Sequence, residues 1–287
     1  MEWLFYAFIT AGLVALSSIF QKGILKHEHA LEFSMLTMTL VAIFSFIFLP
    51  NVNFNLINYK IIAIIYFFSW LGTLGFYFIM RAIRHMEISD VAPLLNFEVL
   101  FTSFLALIIL GEKLKPVNWI GIAILFFGAY VLEFSKIKGY KSFIKIFKSE
   151  YVFMIFLALV LYSFSSLGDR FILKNFLDPI TYLFFGNIFV AMNFFILHYG
   201  FYNGKGLVYG FKKNWQIIII VAFFIFGAKY TQFMAISMVN LALVIGIKRL
   251  SSLFSVLIAG EMFHEKAVLN KAIASVFMII GAYLIII

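Results

Sequence analysis

Four charged side chains lie deep inside long apolar stretches of this sequence, where a charge is costly. Three of them are basic, Lys229, Lys248 and Arg249, and one is acidic, Glu98. A Lys or Arg at the centre of a bilayer costs about 2.5–3.5 kcal/mol even on a lenient insertion scale, so such residues are expected to face a wet cavity or a charged partner. The excess of base over acid predicts a buried site for a small anionic or zwitterionic molecule.

A purely structural role for these charges is the alternative. Glu98 could pair with one cation and only tie two helices together, while Lys229 could extend its long side chain towards a helix end. Neighbouring residues on a helix diverge by about 100°. Lys248 and Arg249 are therefore expected to make different contacts, one with the cavity and the other with Glu98.

Four more polar residues at similar depth are candidates for the same substrate pathway. Tyr77 and Tyr230 lie 153 residues apart at matching positions of an internal repeat, which predicts that they line equivalent sides of one cavity. The other two are Asn187 and Gln232. Hydrogen bonding between helices is the alternative role for such residues.

A repeated phrase supplies the candidate gate. The sequence SSIFQKGIL at 17–25 returns as SSLGDRFIL at 165–173, 148 residues later, and each copy ends an apolar run with a polar step. The two cations are expected to anchor helix ends, and their polar neighbours are candidates for gating. The candidate gate residues are Gln21, Lys22, Asp169 and Arg170.

The elements that must position these residues follow from composition. The 287 residues are 64% hydrophobic and 12% charged, with a mean hydropathy of +1.05, whereas a soluble domain is about 45–50% apolar and about 25% charged. A bilayer is therefore the expected solvent, and apolar runs of about 20 residues are expected to cross it as helices. The predicted fold is an all-α polytopic membrane protein with ten transmembrane helices, at 3–25, 30–49, 60–81, 87–110, 116–134, 151–173, 178–200, 215–237, 239–262 and 267–287.

The ten segments divide into two similar halves. GEKLKPVNWIGIAILFFGAYVL at 111–132 parallels HEKAVLNKAIASVFMIIGAYLI at 264–285 with a shift of 153. Because each half has five spans, the second enters the membrane from the opposite side, as in transporters that alternate access around a midplane site. The predicted units are repeat 1 at 1–134, a basic linker at 135–150 and repeat 2 at 151–287.

Two carboxylates in these matching segments are predicted to be structural. Glu112 and its equivalent Glu265 begin the short turns before the fifth helix of each half. Negative charge is favourable at a helix N-terminus. Both are therefore expected to stabilise the helix that follows them.

With LGEKL at 110–114 and GEMFHEKAV at 260–268, the sequence resembles the drug/metabolite transporter superfamily of the EamA type, which is built from two five-helix repeats. The resemblance implies a secondary transporter of small metabolites. IGIKRLSSLFSVL at 245–257 is similar to the ninth-helix segment of the triose-phosphate and nucleotide-sugar transporter branch. There the pair that matches Lys248 and Arg249 binds substrate phosphate.

Several function classes lack support in the sequence. It has no cysteine, no GxxxxGK[ST] and no HExxH, so no ATP site, metal site or cofactor is predicted. No basic soluble face suggests nucleic acid. The expected partners are a small-molecule substrate, the lipid bilayer and a coupling ion such as H⁺, for which Glu98 is the one carboxylate predicted at depth. An intramembrane enzyme, or a channel or scaffold without carrier activity, is the alternative.

Charge in the loops predicts the orientation in the cell membrane. Fourteen Lys and Arg residues fall in the loops after the odd-numbered spans and five in the others. Basic loops are enriched in the cytoplasm, which predicts that both termini are outside. The family resemblance implies the reverse, with both termini inside.

Overall fold

The computed structural model describes residues 2–25, 28–86, 91, 94–134, 149–202, 207–255 and 268–287. For 129–134, 207–213 and 268–275 it describes the backbone alone. Residues 135–148 of the predicted linker and Glu265 lie outside the described residues.

Ten α-helices occupy the described part of the chain, which confirms the predicted all-α polytopic fold. Six are long and apolar enough to cross a membrane, counting α2 with the 3₁₀ turn that follows it, while α4 is a shorter apolar helix. The helices are α1 (Glu2–Leu25), α2 (Ala30–Ser45), α3 (Tyr59–His85), α4 (Phe97–Leu110), α5 (Pro116–Phe134), α6 (Glu150–Asn175), α7 (Pro179–Tyr202), α8 (Leu207–Met238), α9 (Leu241–Lys248) and α10 (Val268–Ile286).

Local sequence explains where several of these helices begin and end. The Asn58 side chain accepts from the backbone N–H of Ile61 at the start of α3, and Asp178 accepts from Ile180 and Thr181 at the start of α7. Such N-caps satisfy N–H groups that have no partner inside the helix. Gly111 ends α4 in the left-handed conformation, with φ of 64°, which glycine adopts without steric cost.

The main packing partners come from opposite halves. Helix α1 packs on α8 and α3 on α6, while α2 packs on α7 and α5 on α10. The first two pairs are equivalent, because α1 corresponds to α6 and α8 to α3. Four pairs that each join one helix of each half are what a two-fold relation between the repeats produces.

The α5–α10 pair depends on small residues. A methyl group on Gly121 would overlap the backbone at Gly281 and Ile285, and one on Gly281 would overlap the backbone at Leu125. Small residues let membrane helices approach until their backbones touch. The glycines therefore allow α5 and α10 to pack closely.

Both halves contain a one-residue turn in their fourth helix at the same place. A turn at Asn96 precedes α4, and a turn at Arg249 separates α9 from the helical residues 250–255. The two positions are related by the repeat shift of 153. Both turn residues keep helical backbone angles, with φ and ψ of −68° and −19° at Asn96 and of −69° and −10° at Arg249. The turns are therefore local irregularities beside the buried charges and not breaks in the helices.

Candidate substrate cavity

A cavity of about 250 Å³ lies between the two halves. Its wall includes residues of α1, α3, α4, α6, α7, α8 and α9. The repeated serines face it together, since Ser17 and Ser18 of the first half and Ser165 and Ser166 of the second are all lining residues. The charged and amide lining residues are Gln21, Glu98, Asp169, Asn187, Lys229, Gln232, Lys248 and Arg249.

Three of these charges form one ionic cluster. Glu98 is 2% exposed and lies between two cations, with its Oε1 3.2 Å from Lys248 Nζ and its Oε2 in contact with the Arg249 guanidinium. The expectation that Lys248 and Arg249 make different contacts is therefore wrong. Both meet Glu98, because each approaches a different carboxylate oxygen.

The third predicted cation is held without a carboxylate. Lys229 donates to Asn187 Oδ1 at 2.9 Å, and the Asn187 amide donates in turn to Ser45 Oγ at 2.9 Å. No carboxylate of the described chain lies within ion-pair distance of Lys229. Gln232, one turn further along α8, lines the same wall.

Asp169 also belongs to the cavity wall. Its Oδ1 accepts from the Tyr182 hydroxyl at 2.5 Å, and its repeat equivalent Gln21 lines the wall as well. The cavity thus holds two carboxylates and three cations, a formal charge of +1, where the sequence indicated +2. Within the described residues, no group of three or more His, Cys, Asp and Glu side chains could hold a metal ion.

The two cations of the repeated phrase are not among the cavity-lining residues, and both contact helix ends. Lys22 Nζ donates to the carbonyls of Ile83 at 2.8 Å and Met86 at 2.6 Å. Arg170 donates to the carbonyl of Ile236 at 2.5 Å. Ile83 and Ile236 are related by the repeat shift of 153, so each cation caps the same carbonyl of its own half.

Glu112 joins the second of these helix ends to the first half. Its Oε1 lies 2.7 Å from Arg170 Nε, and its Oε2 accepts from the backbone N–H of Leu241 at 2.8 Å. Leu241 is the first residue of α9. The carboxylate therefore stabilises the N-terminus of α9. The sequence-based prediction that it stabilises the following helix, α5, is wrong.

The predicted tyrosine pair is not brought into the cavity wall. Tyr77 packs beside Phe78 with ring centroids 5.7 Å apart, and Tyr230 stacks on Phe48 at 5.1 Å. Tyr230 follows Lys229, so its side chain leaves the helix about 100° away from that cation. A different tyrosine, Tyr182, reaches the cavity. It lies four residues after the Asp178 cap, and no sequence pattern marked it as a site residue.

A helical bundle that encloses a charged cavity between two related halves has the architecture of a multi-pass membrane transporter. The sequence model of the EamA-like transporter family matches residues 1–134 and 149–287. The chain therefore belongs to the EamA-like transporter family, within the drug/metabolite transporter superfamily, and is a transporter and not an enzyme.

A solved crystal structure shares the fold. It aligns over 99% of this chain and 96% of its own with a TM-score of 0.77 at 14% sequence identity. An identity this low shows the fold alone. No curated protein matches in sequence, and the resemblance to the triose-phosphate and nucleotide-sugar branch stays a prediction.

Proposed function

We propose that this transporter carries a small anionic or zwitterionic metabolite through the cavity by alternating access. The observation that carries the proposal is the formal charge of +1 on buried lining residues. Buried charge without a counter-charge is expensive. An anionic group of the substrate would compensate it. The cavity volume, near the lower end of small-molecule sites, fits a compact metabolite.

Two donors are placed to receive that anionic group. Lys229 uses one described hydrogen bond, to Asn187, and an ammonium group offers three donors. Arg249 is 7% exposed, and its Nε has no partner among the described residues. A carboxylate or phosphate oxygen would satisfy both groups with charge-assisted hydrogen bonds. Lys248 supports Arg249 through their shared Glu98.

Alternating access requires a closure that opens in the other state. The Arg170–Glu112 contact is the candidate, because it ties α6 to the turn between α4 and α5 across the two halves. The cavity lining extends along α3 as far as Ile83, whereas on the equivalent helix α8 it ends at Phe233, short of Ile236, whose carbonyl Arg170 contacts. We assign Arg170 and Glu112 to the closure at that end, with Gln21 and Asp169 facing the substrate.

We place the protein in the cell membrane with both termini outside, following the loop charges. The Arg170 end would then face outwards. Because the chain has no native cysteine, a single cysteine at position 141 tests this orientation. If this cysteine is not labelled by an impermeant maleimide in intact cells, the proposed orientation is supported. Labelling would show that both termini are inside.

Exchange in proteoliposomes tests the function. We expect saturable counterflow of labelled phosphoenolpyruvate or L-glutamate and none of labelled choline, because the cavity repels a cation. Counterflow of choline alone, or of none of the three, overturns the proposal. Saturation and trans-stimulation also separate a carrier from a channel.

Lys229→Gln sharpens this test. Removing one charge-assisted hydrogen bond costs about 1.5–3 kcal/mol, which corresponds to at least about tenfold in affinity. Lys60→Gln is the matched control, since Lys60 is exposed at the start of α3, outside the cavity lining. Equal loss in both variants would contradict the assignment of Lys229 to the substrate.

A further inference from the structure

The two carboxylates of the cavity are partnered differently. Glu98 contacts both Lys248 and Arg249. Asp169, which is 9% exposed, accepts one hydrogen bond from the Tyr182 hydroxyl and forms no ion pair with any residue that the structure describes. Adding a proton to Glu98 would leave two buried cations without their carboxylate, whereas adding one to Asp169 breaks no ion pair.

The charge on Asp169 nevertheless acts on the cations around it. Lys229 of α8 and Lys248 of α9 line the same cavity, and opposite charges in a site of low dielectric attract each other beyond ion-pair distance. Tyr182 of α7 supplies the hydroxyl, and Glu98 of α4 faces the same cavity with its own cations. On α3 the lining residues are uncharged. Arg170, the next residue of α6, is directed to Glu112.

We propose that Asp169 is the binding site of a coupling proton. The proton comes from the water on the open side, binds at Oδ2 while Oδ1 keeps the Tyr182 hydroxyl, and leaves to the water on the other side after the conformational change. Its binding raises the formal charge of the cavity lining from +1 to +2. The inference rests on the proposed anion site and adds the ion that drives it.

The direction of coupling follows from linkage. Protonated Asp169 strengthens the attraction between the cavity and an anion, and a bound anion strengthens proton binding by the same factor. Proton and anion therefore bind together and cross together. The cavity chemistry predicts symport, in which substrate accumulates on the side towards which protons flow.

Infrared spectroscopy tests the proton site without any substrate. Full-length protein in nanodiscs is titrated, and the carbonyl stretch of a protonated carboxylic acid is followed. We expect Asp169→Asn to lose a titrating band that Asp178→Asn keeps. Asp178 is a matched control because it makes the same chemical change at the α7 N-cap, outside the cavity lining. Identical titrations of wild type and Asp169→Asn overturn the proposal.

Transport tests the coupling, with phosphoenolpyruvate or L-glutamate as the probe and trapped pyranine to report protons. Wild type should accumulate the probe under an imposed pH gradient and acidify the lumen. In Asp169→Asn, the ratio of gradient-driven accumulation to counterflow at symmetric pH should fall at least about fivefold below that of wild type, the lower range of allosteric coupling. An altered structure alone would impair both activities.

Other outcomes of this experiment contradict the proposal separately. If wild type shows counterflow that does not depend on the pH gradient, the proposed proton coupling is wrong and the proposed anion site is supported. Absence of wild-type counterflow at symmetric pH removes the anion site itself. Loss of counterflow in Asp169→Asn, with folding intact by size exclusion, would assign Asp169 to the ammonium group of a zwitterion instead. If that variant does not fold, Tyr182→Phe replaces it, and an unchanged pH profile of accumulation then overturns the proposal.

Discussion

Lys22 near the end of α1 and Arg170 near the end of α6 occupy equivalent places in the two halves, and each donates to the equivalent carbonyl, Ile83 or Ile236. Each also contacts a second carbonyl of its own half, Lys22 that of Met86 and Arg170 that of Ser237. The Arg170 guanidinium in addition pairs with Glu112 of the other half. A guanidinium suits this double task, because its fork of five donors serves a carbonyl and a carboxylate at once.

The Arg170–Glu112 pair shows how a helix-end contact that both halves share can be extended in one of them into a link between the halves. One helix-end contact was kept in both halves, and at the Arg170 end it extends into a link that also holds the start of α9 through Leu241. A carrier with two identical ends would have no built-in preference between its two states. Under the proposed alternating access, unequal contacts at the two ends would give the two states different free energies.

The largest effect is expected from Arg170→Ala. It leaves the buried Glu112 without its cation and the Ile236 carbonyl without its donor, and breaking a buried ion pair costs about 3–5 kcal/mol. Unfolding of the purified protein, followed by denaturant titration or thermal aggregation, measures this loss. A change below about 1 kcal/mol, as at ordinary surface sites, would contradict the buried link.

Glu112→Gln should have an intermediate effect. The amide keeps an acceptor for the Leu241 N–H but removes the counter-charge of Arg170, and we expect about 1–3 kcal/mol of destabilisation. The accompanying conformational effect is greater access of a cysteine placed at Asn240 to a maleimide. A double-mutant cycle with Arg170→Gln should show a coupling of about 0.5–3 kcal/mol. Additive effects would mean that the two side chains act independently.

Lys22→Gln should have the smallest effect of the three, because Lys22 is half-buried whereas Arg170 is buried. It weakens the contacts with two carbonyls at the end of α3, each hydrogen bond being worth about 0.5–1.5 kcal/mol. Stability is measured as for Arg170→Ala, in parallel. A loss equal to that of Arg170→Ala would erase the difference between the two ends.

Much of the fold was predictable because it depends on local sequence patterns that require no knowledge of contacts. Hydropathy gave the helices, and matched phrases gave the repeat. The intramembrane charges were also found, since depth in an apolar run requires no knowledge of contacts. Glu98, Lys229, Lys248 and Arg249 all line one cavity as a consequence.

What could not be predicted depends on which way a side chain points and on contacts across the halves. Asp169 was placed at a helix end, yet α6 continues to Asn175 and the carboxylate turns into the cavity. Tyr77 and Tyr230 directly follow the lining residues Phe76 and Lys229, but the two tyrosines lie on another face of α3 and α8. Glu112 binds α9 and α6, 129 and 58 residues away, which no local pattern indicates.

The pairing of helices across the halves has a consequence for how the protein is made. A ribosome delivers α1 to α5 to the membrane before the main partner of any of them has been synthesised. Glu98 and Glu112 are therefore inserted before their partner cations have been synthesised. Arg170 follows Glu112 by 58 residues, and Lys248 and Arg249 follow Glu98 at a greater distance. A chain that stops after α5 lacks the three cations that contact Glu98 and Glu112 in the whole protein. We expect membrane quality control to degrade such a fragment as a misassembled protein. The first half would then be stable only once the second half has been synthesised.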